Sequence, residues 1–141
     1  MKRTGTAVWS GDLKGGSGRV ATESGILDNV SYCYHSRFEH DAGSNPEELL
    51  GAAHAACFTM TLAGELAAAG MKPRSLITTA TVSLGKVGDD FQIGSVHLNL
   101  IAFIPGASQA AFEQAALKAK LECPLSRVLN THITLDVRLD H

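Results

Sequence analysis

From Leu49 to Gly70 the chain is apolar or small at almost every position, with His54 and Glu65 the only strongly polar interruptions. A helix with this pattern lacks the polar stripe of a surface helix and is expected to be buried on most sides. Its start is specified residue by residue. Asn45 is a favoured N-cap and Pro46 suits the first helical position. Glu47 and Glu48 then place carboxylates at the positive end of the helix dipole. Lys72-Pro73-Arg74 ends the stretch.

Shorter periods surround this helix. Thr4–Ser10 alternates and turns through Gly11–Gly18. Arg19–Glu23 returns as a second strand, and Val30–Tyr34 forms a third, with Cys33 inside it. The glycines make no phosphate cradle, because no Gly-Lys-Ser/Thr follows and no helix opens there. Leu76–Leu84 and Phe91–Ile104 alternate as the two arms of a long antiparallel hairpin with one covered face. Ser108 N-caps a helix through Leu121, and Pro124 breaks it at Cys123. A short helical piece spans Leu125–Leu129, and His132–Leu139 closes the chain as a strand. The fold class is α+β, read as one domain over residues 1–141.

At 141 residues the chain is small for surrounding so long an apolar helix, so a partner chain is expected to complete the burial. With 12 Lys and Arg against 14 Asp and Glu, the net charge is −2 and supplies no footprint for nucleic acid or an anionic membrane. The N-terminus has no secretory apolar region. The longest apolar run is interrupted and alanine-rich, so no membrane span is expected. Three cysteines without an export signal argue against a disulfide framework and for a reducing, cytoplasmic setting with individual thiol roles.

Cys57 lies in the long helix with alanines around it, and Cys123 lies at the proline break. Free cysteines are common core residues, but a thiol at a helix discontinuity has the freedom that a resolving thiol needs. Cys33, alternating with Tyr32 and Tyr34, reads as packing. A reactive cysteine must be a thiolate, and burial alone raises its pKa, so a cation has to offset it. Arg37 is the candidate. Glu47 and Cys57 are ten residues apart, about 15 Å along a straight helix. If Arg37 and Glu47 serve a thiolate, it is then most simply that of a symmetry-related chain. His54 and Cys57, at i and i+3, share a helix face, yet no further ligands suggest a metal, and no nucleophile-elbow motif is present.

Residues 45–60, NPEELLGAAHAACFTM, resemble the central-helix motif of the osmotically inducible protein C family, whose relatives include the organic hydroperoxide resistance proteins. Ser36-Arg37-Phe38-Glu39, the Gly18–Gly25 stretch and Glu122–Leu129 match as well. The resemblance covers essentially the whole chain. It implies an intertwined α+β homodimer with shared active sites, acting as a thiol-dependent peroxidase on organic hydroperoxides and less efficiently on hydrogen peroxide. It implies no cofactor. Carried over, it makes Cys57 the peroxidatic thiol and Cys123 the resolving thiol. Arg37 would stabilise the thiolate and polarise the peroxide, and Glu47 would orient Arg37. The place of Arg37 resembles the family's namesake subgroup, whereas the hydroperoxide resistance subgroup draws its arginine from nearer the N-terminus, where Arg19 is a weaker match. A Cys57–Cys123 disulfide would be reopened by a dithiol; relatives use lipoyl groups or small dithiols. Two other readings stay open. One is a peroxide-responsive redox sensor without turnover, and the other a thiol nucleophile on acyl substrates with His54 as its base.

Overall fold

A computed structural model describes the chain from Met1 to His141. Two compact units are distinguished, Met1–Leu49 and Leu50–His141. The first holds an antiparallel sheet of β1 (Gly5–Ser10), β2 (Ser17–Thr22) and β3 (Val30–Tyr32), in that order. Asp12 closes the β1–β2 turn by accepting the Gly15 N–H at 2.6 Å. Every residue of β1 is exposed.

The third strand is shorter than its alternation suggests. Cys33 leaves it and caps a five-residue helix, α1 (Tyr34–Phe38), that the pattern did not announce. The cause is Ser36, whose hydroxyl accepts the Cys33 N–H at 2.9 Å and whose own N–H reaches the Cys33 sulfur at 3.4 Å. This reciprocal capping box offers the backbone an alternative to further strand pairing. Cys33 is therefore a cap residue as well as a packed one.

The long helix α2 (Pro46–Ala68) begins and ends as its residues dictate. The Asn45 side chain accepts the Glu48 N–H at 2.8 Å. At the other end Gly70 takes φ +73°, Met71 N–H bonds Leu66 C=O at 2.8 Å and Gly70 N–H bonds Ala67 C=O at 3.0 Å. This is a Schellman motif, which glycine permits because the turn needs a left-handed residue.

In the second unit β4 (Ser75–Val87) and β5 (Asp90–Phe103) form the expected hairpin, with a bulge at Ser83/Leu84. After β5 come α3 (Gln109–Glu122) and α4 (Pro124–Val128). They provide the crossover that lets β6 (His132–Asp140) pair in parallel with β5. Phe58, Leu62 and Leu66 of α2 join Val96, Leu98 and Leu100 of β5 and Phe112 of α3 in a fully buried core. Gly51 brings α2 close to the sheet, since a Cβ there would stand 3.2 Å from the Ala80 carbonyl oxygen.

Within this chain α2 is not buried on most sides. Its Gly51, His54, Phe58, Leu62 and Leu66 are covered, but Ala52, Ala53, Ala56, Met60, Ala63, Gly64 and Ala67 are exposed, Met60 by 79%. Small apolar residues can lie outward because the unit that holds most of α2 has one sheet for it to pack against. At 23 residues and mean hydropathy 1.2, α2 is also long and apolar enough, by length and composition alone, to cross a membrane, against the expectation from its interruptions. Its covered row packs as a core helix does, and Thr59 donates to Thr78 of β4 at 2.7 Å. Truncating the central anchor, Phe58→Ala, is expected to cost about 3–5 kcal/mol of stability, read as a lowered urea midpoint with little change in slope.

Candidate active site

Cys123 belongs to two helices at once. Its N–H closes α3 on Ala119 C=O at 2.9 Å, and its carbonyl accepts the Arg127 N–H of α4 at 3.1 Å. With φ −52° and ψ 125° it has left the helical region, as a residue before proline prefers. Pro124 supplies the first position of α4, so the break sits at the cysteine, which is fully buried.

This bend brings Cys123 to Cys57, which is half-buried on α2 against the same core. The Leu125 backbone N–H and the Cys123 thiol both stand near enough to the Cys57 sulfur to act on its ionisation, and both cysteines are free thiols. Burial pushes the Cys57 thiol up from its ordinary pKa. The Leu125 N–H pulls it down, and the neighbouring thiol pushes it up again. No cation is among the groups acting on it. The two thiols are thus neighbours, and the Cys57 pKa is raised.

Arg37 and Glu47 meet within the first unit. Arg37 Nε donates to both Glu47 carboxylate oxygens at 3.1 and 3.2 Å, and Nη2 donates to Oε1 at 2.7 Å. The Glu47 side chain is 11% exposed and that of Arg37 37%. A two-pronged pair with one buried member fixes the guanidinium plane far better than a surface ion pair does. Arg37 also borders an apolar cavity of about 290 Å³ walled by Trp9, Tyr32, Cys33, Tyr34, Phe38 and Pro46, with Leu13 at its edge. Gly18 allows that wall, because any side chain there would overlap the Tyr32 ring, which lies 5.5 Å from Trp9 between centroids.

His54 is fully buried, one ring nitrogen, Nε2, 2.9 Å from Ser126 Oγ and the other, Nδ1, without a hydrogen-bond partner. It therefore does not bond Cys57 and offers no support for an acyl-transfer base. No group of three or more His, Cys, Asp or Glu is placed to hold a metal. The candidate residues thus fall into two clusters, Cys57 with Cys123 and Arg37 with Glu47. Sequence reasoning missed the Leu125 N–H, Ser126 and the aromatic wall. Gly18 beside an aromatic strand was the one signal for the wall, and backbone donors leave none.

The description "OsmC-like protein" fits residues 39–138 as a family profile. The chain is 48% identical over 139 residues to a peroxiredoxin OsmC of Escherichia coli, covering 99% of this chain and 97% of that one. The chain belongs to the OsmC-like family and, with this identity to a peroxiredoxin OsmC over nearly its whole length, is a Cys-based peroxidase. An OsmC-like protein of Vibrio cholerae shares the fold with TM-score 0.77 at 14% identity, covering 98% of this chain and 99% of that one. An organic hydroperoxide resistance protein from Elizabethkingia anophelis, with thiocyanate bound, matches with TM-score 0.69 at 26% identity over 100% and 98%.

Burial lowers the His54 pKa from its ordinary value, which fixes a sign for stability against pH. Above about pH 6.5 the imidazole is neutral whether folded or not, and it contributes no slope. Below that the unfolded chain takes up the proton first, so stability falls until the folded imidazole protonates as well. The decline of unfolding free energy between about pH 6.5 and 5 should be shallower in His54→Gln than in wild type, measured by urea titration at each pH.

Proposed function

We propose that this protein reduces organic hydroperoxides to alcohols through a Cys57 sulfenic acid and a Cys57–Cys123 disulfide. The Cys57 thiolate attacks the distal oxygen of the peroxide. The O–O bond breaks, the departing alkoxide takes a proton to leave as alcohol, and Cys57 becomes a sulfenic acid. Cys123 attacks that sulfur, the S–S bond forms, and the hydroxyl leaves as water with the thiol proton. A dithiol then reopens the disulfide by exchange. The observation that carries this reading is the nearness of the two free thiols, Cys123 standing at the break between α3 and α4.

Arg37 stabilises the thiolate and polarises the peroxide, with Glu47 holding its guanidinium in plane. These two act on the Cys57 of a second chain in a homodimer. Three facts support this: the raised Cys57 pKa has no cation to oppose it, the pair is pre-formed, and α2 presents an uncovered face of small apolar residues. The apolar cavity beside Arg37 suits an alkyl or aryl group better than a small polar peroxide. The name of the Elizabethkingia structural relative points to the same substrate class.

Steady-state consumption of cumene hydroperoxide with a dithiol donor tests the scheme. Cys57→Ser should abolish turnover. Cys123→Ser should complete one oxidation and accumulate a sulfenic acid that dimedone traps. Unimpaired turnover in Cys57→Ser contradicts the proposal. For Arg37→Met, removing the cation should lower the ionised fraction of Cys57 at pH 7 by about ten- to a thousandfold. Its alkylation rate would then keep rising to higher pH than in wild type; superimposable pH profiles would remove Arg37 from the site.

A further inference from the structure

The buried imidazole of His54 is left over by this chemistry. His54 is fully buried, and one of its nitrogens has no hydrogen-bond partner in either tautomer. An unpaired buried polar atom is destabilising, and leucine or methionine at the same place would avoid it. The cost is set against a single contact, the 2.9 Å bond between Nε2 and Ser126 Oγ, which joins positions 72 residues apart.

That bond falls on a short helix. Ser126 lies on α4, a five-residue helix with no buried residue and no side-chain cap, whose Val128 is 72% exposed. The same short helix is N-capped by Cys123 and carries Leu125, whose N–H stands beside Cys57. His54 stands one turn before Cys57 on α2, so a bond from His54 to α4 fixes α4 against the turn of α2 that bears Cys57.

We propose that His54 and Ser126 are the positioning pair for the resolving step, holding the start of α4 so that Cys123 stays within reach of the oxidised Cys57. The proposal rests on the Cys57–Cys123 reading above. His54 and Ser126 touch neither peroxide nor sulfur, and they act through the placement of Cys123. In that step Cys123 sulfur bonds Cys57 sulfur, the S–O bond breaks, and the thiol proton leaves with the hydroxyl as water. Loss of the bond leaves the first half of the cycle intact and slows the second.

The test is Ser126→Ala beside Ser126→Thr, which keeps the hydroxyl, both on the full-length protein. Peroxide oxidation of Cys57 is followed by dimedone trapping in rapid quench, and disulfide formation and Cys57 sulfinic acid by mass spectrometry at graded cumene hydroperoxide. Ser126→Ala should form sulfenic acid at the wild-type rate but close the disulfide about three- to tenfold more slowly. It should also over-oxidise at correspondingly lower peroxide, with Ser126→Thr nearer wild type on both counts. A Ser126→Ala disulfide rate equal to wild type overturns the proposal, as does an equal slowing of both steps, which is the mark of a general structural role. If wild type itself forms no Cys57–Cys123 disulfide, the underlying thiol-pair reading fails, and this proposal fails with it.

Discussion

A cysteine that is to attack a peroxide must be ionised, and apolar surroundings oppose ionisation. Cys57 meets this conflict directly: α2 places its sulfur against the core, burial pushes the thiol up, and the only opposing help is one backbone N–H from Leu125. A neighbouring thiol makes matters worse for the anion, although disulfide chemistry requires that neighbour. Much of the site's architecture follows from that conflict. In the proposed scheme a cation comes from outside the Cys57 environment, and it comes already oriented. Arg37, pinned in plane by the nearly buried Glu47, has the form of such a cation.

The same helix carries the other half of the problem. One row of α2, from Gly51 to Leu66, is used on the sheet, and the opposite row is alanine, glycine and Met60 left in the open. Small residues let another backbone approach closely, and a second chain laid on that row would bring the burial and the missing cation together. In the arrangement proposed here the dimer is part of the chemistry, since the second chain supplies the cation that favours the Cys57 thiolate.

Much of this could be read from residue order. Asn45, Pro46 and Gly70 set the ends of α2 through local backbone requirements that need no tertiary information, and Pro124 located the break at Cys123. The β4–β5 hairpin followed from strict alternation. What could not be read depended on contacts distant in sequence or on the backbone. Ser36 diverted Cys33 from a strand into a cap, and the parallel seating of β6 on β5 has no signature in β6 itself. The bond from His54 to Ser126 joins two residues whose neighbours give no hint of each other. The apolar pattern of α2 also overstated its burial, because pattern records which residues tolerate covering and not how many chains supply it.

Subunit complementation tests the central claim, that Cys57 of one chain is served by Arg37 of another. Cys57→Ser and Arg37→Met chains would be purified separately, mixed, allowed to exchange, and assayed for cumene hydroperoxide turnover. If the site is shared, each mixed dimer contains one site with an intact Cys57 and an intact Arg37, and activity rises well above the sum of the two inactive parents. If each chain builds its own site, no exchange can join the two intact residues. Activity fixed at the parental sum after verified exchange would contradict the account.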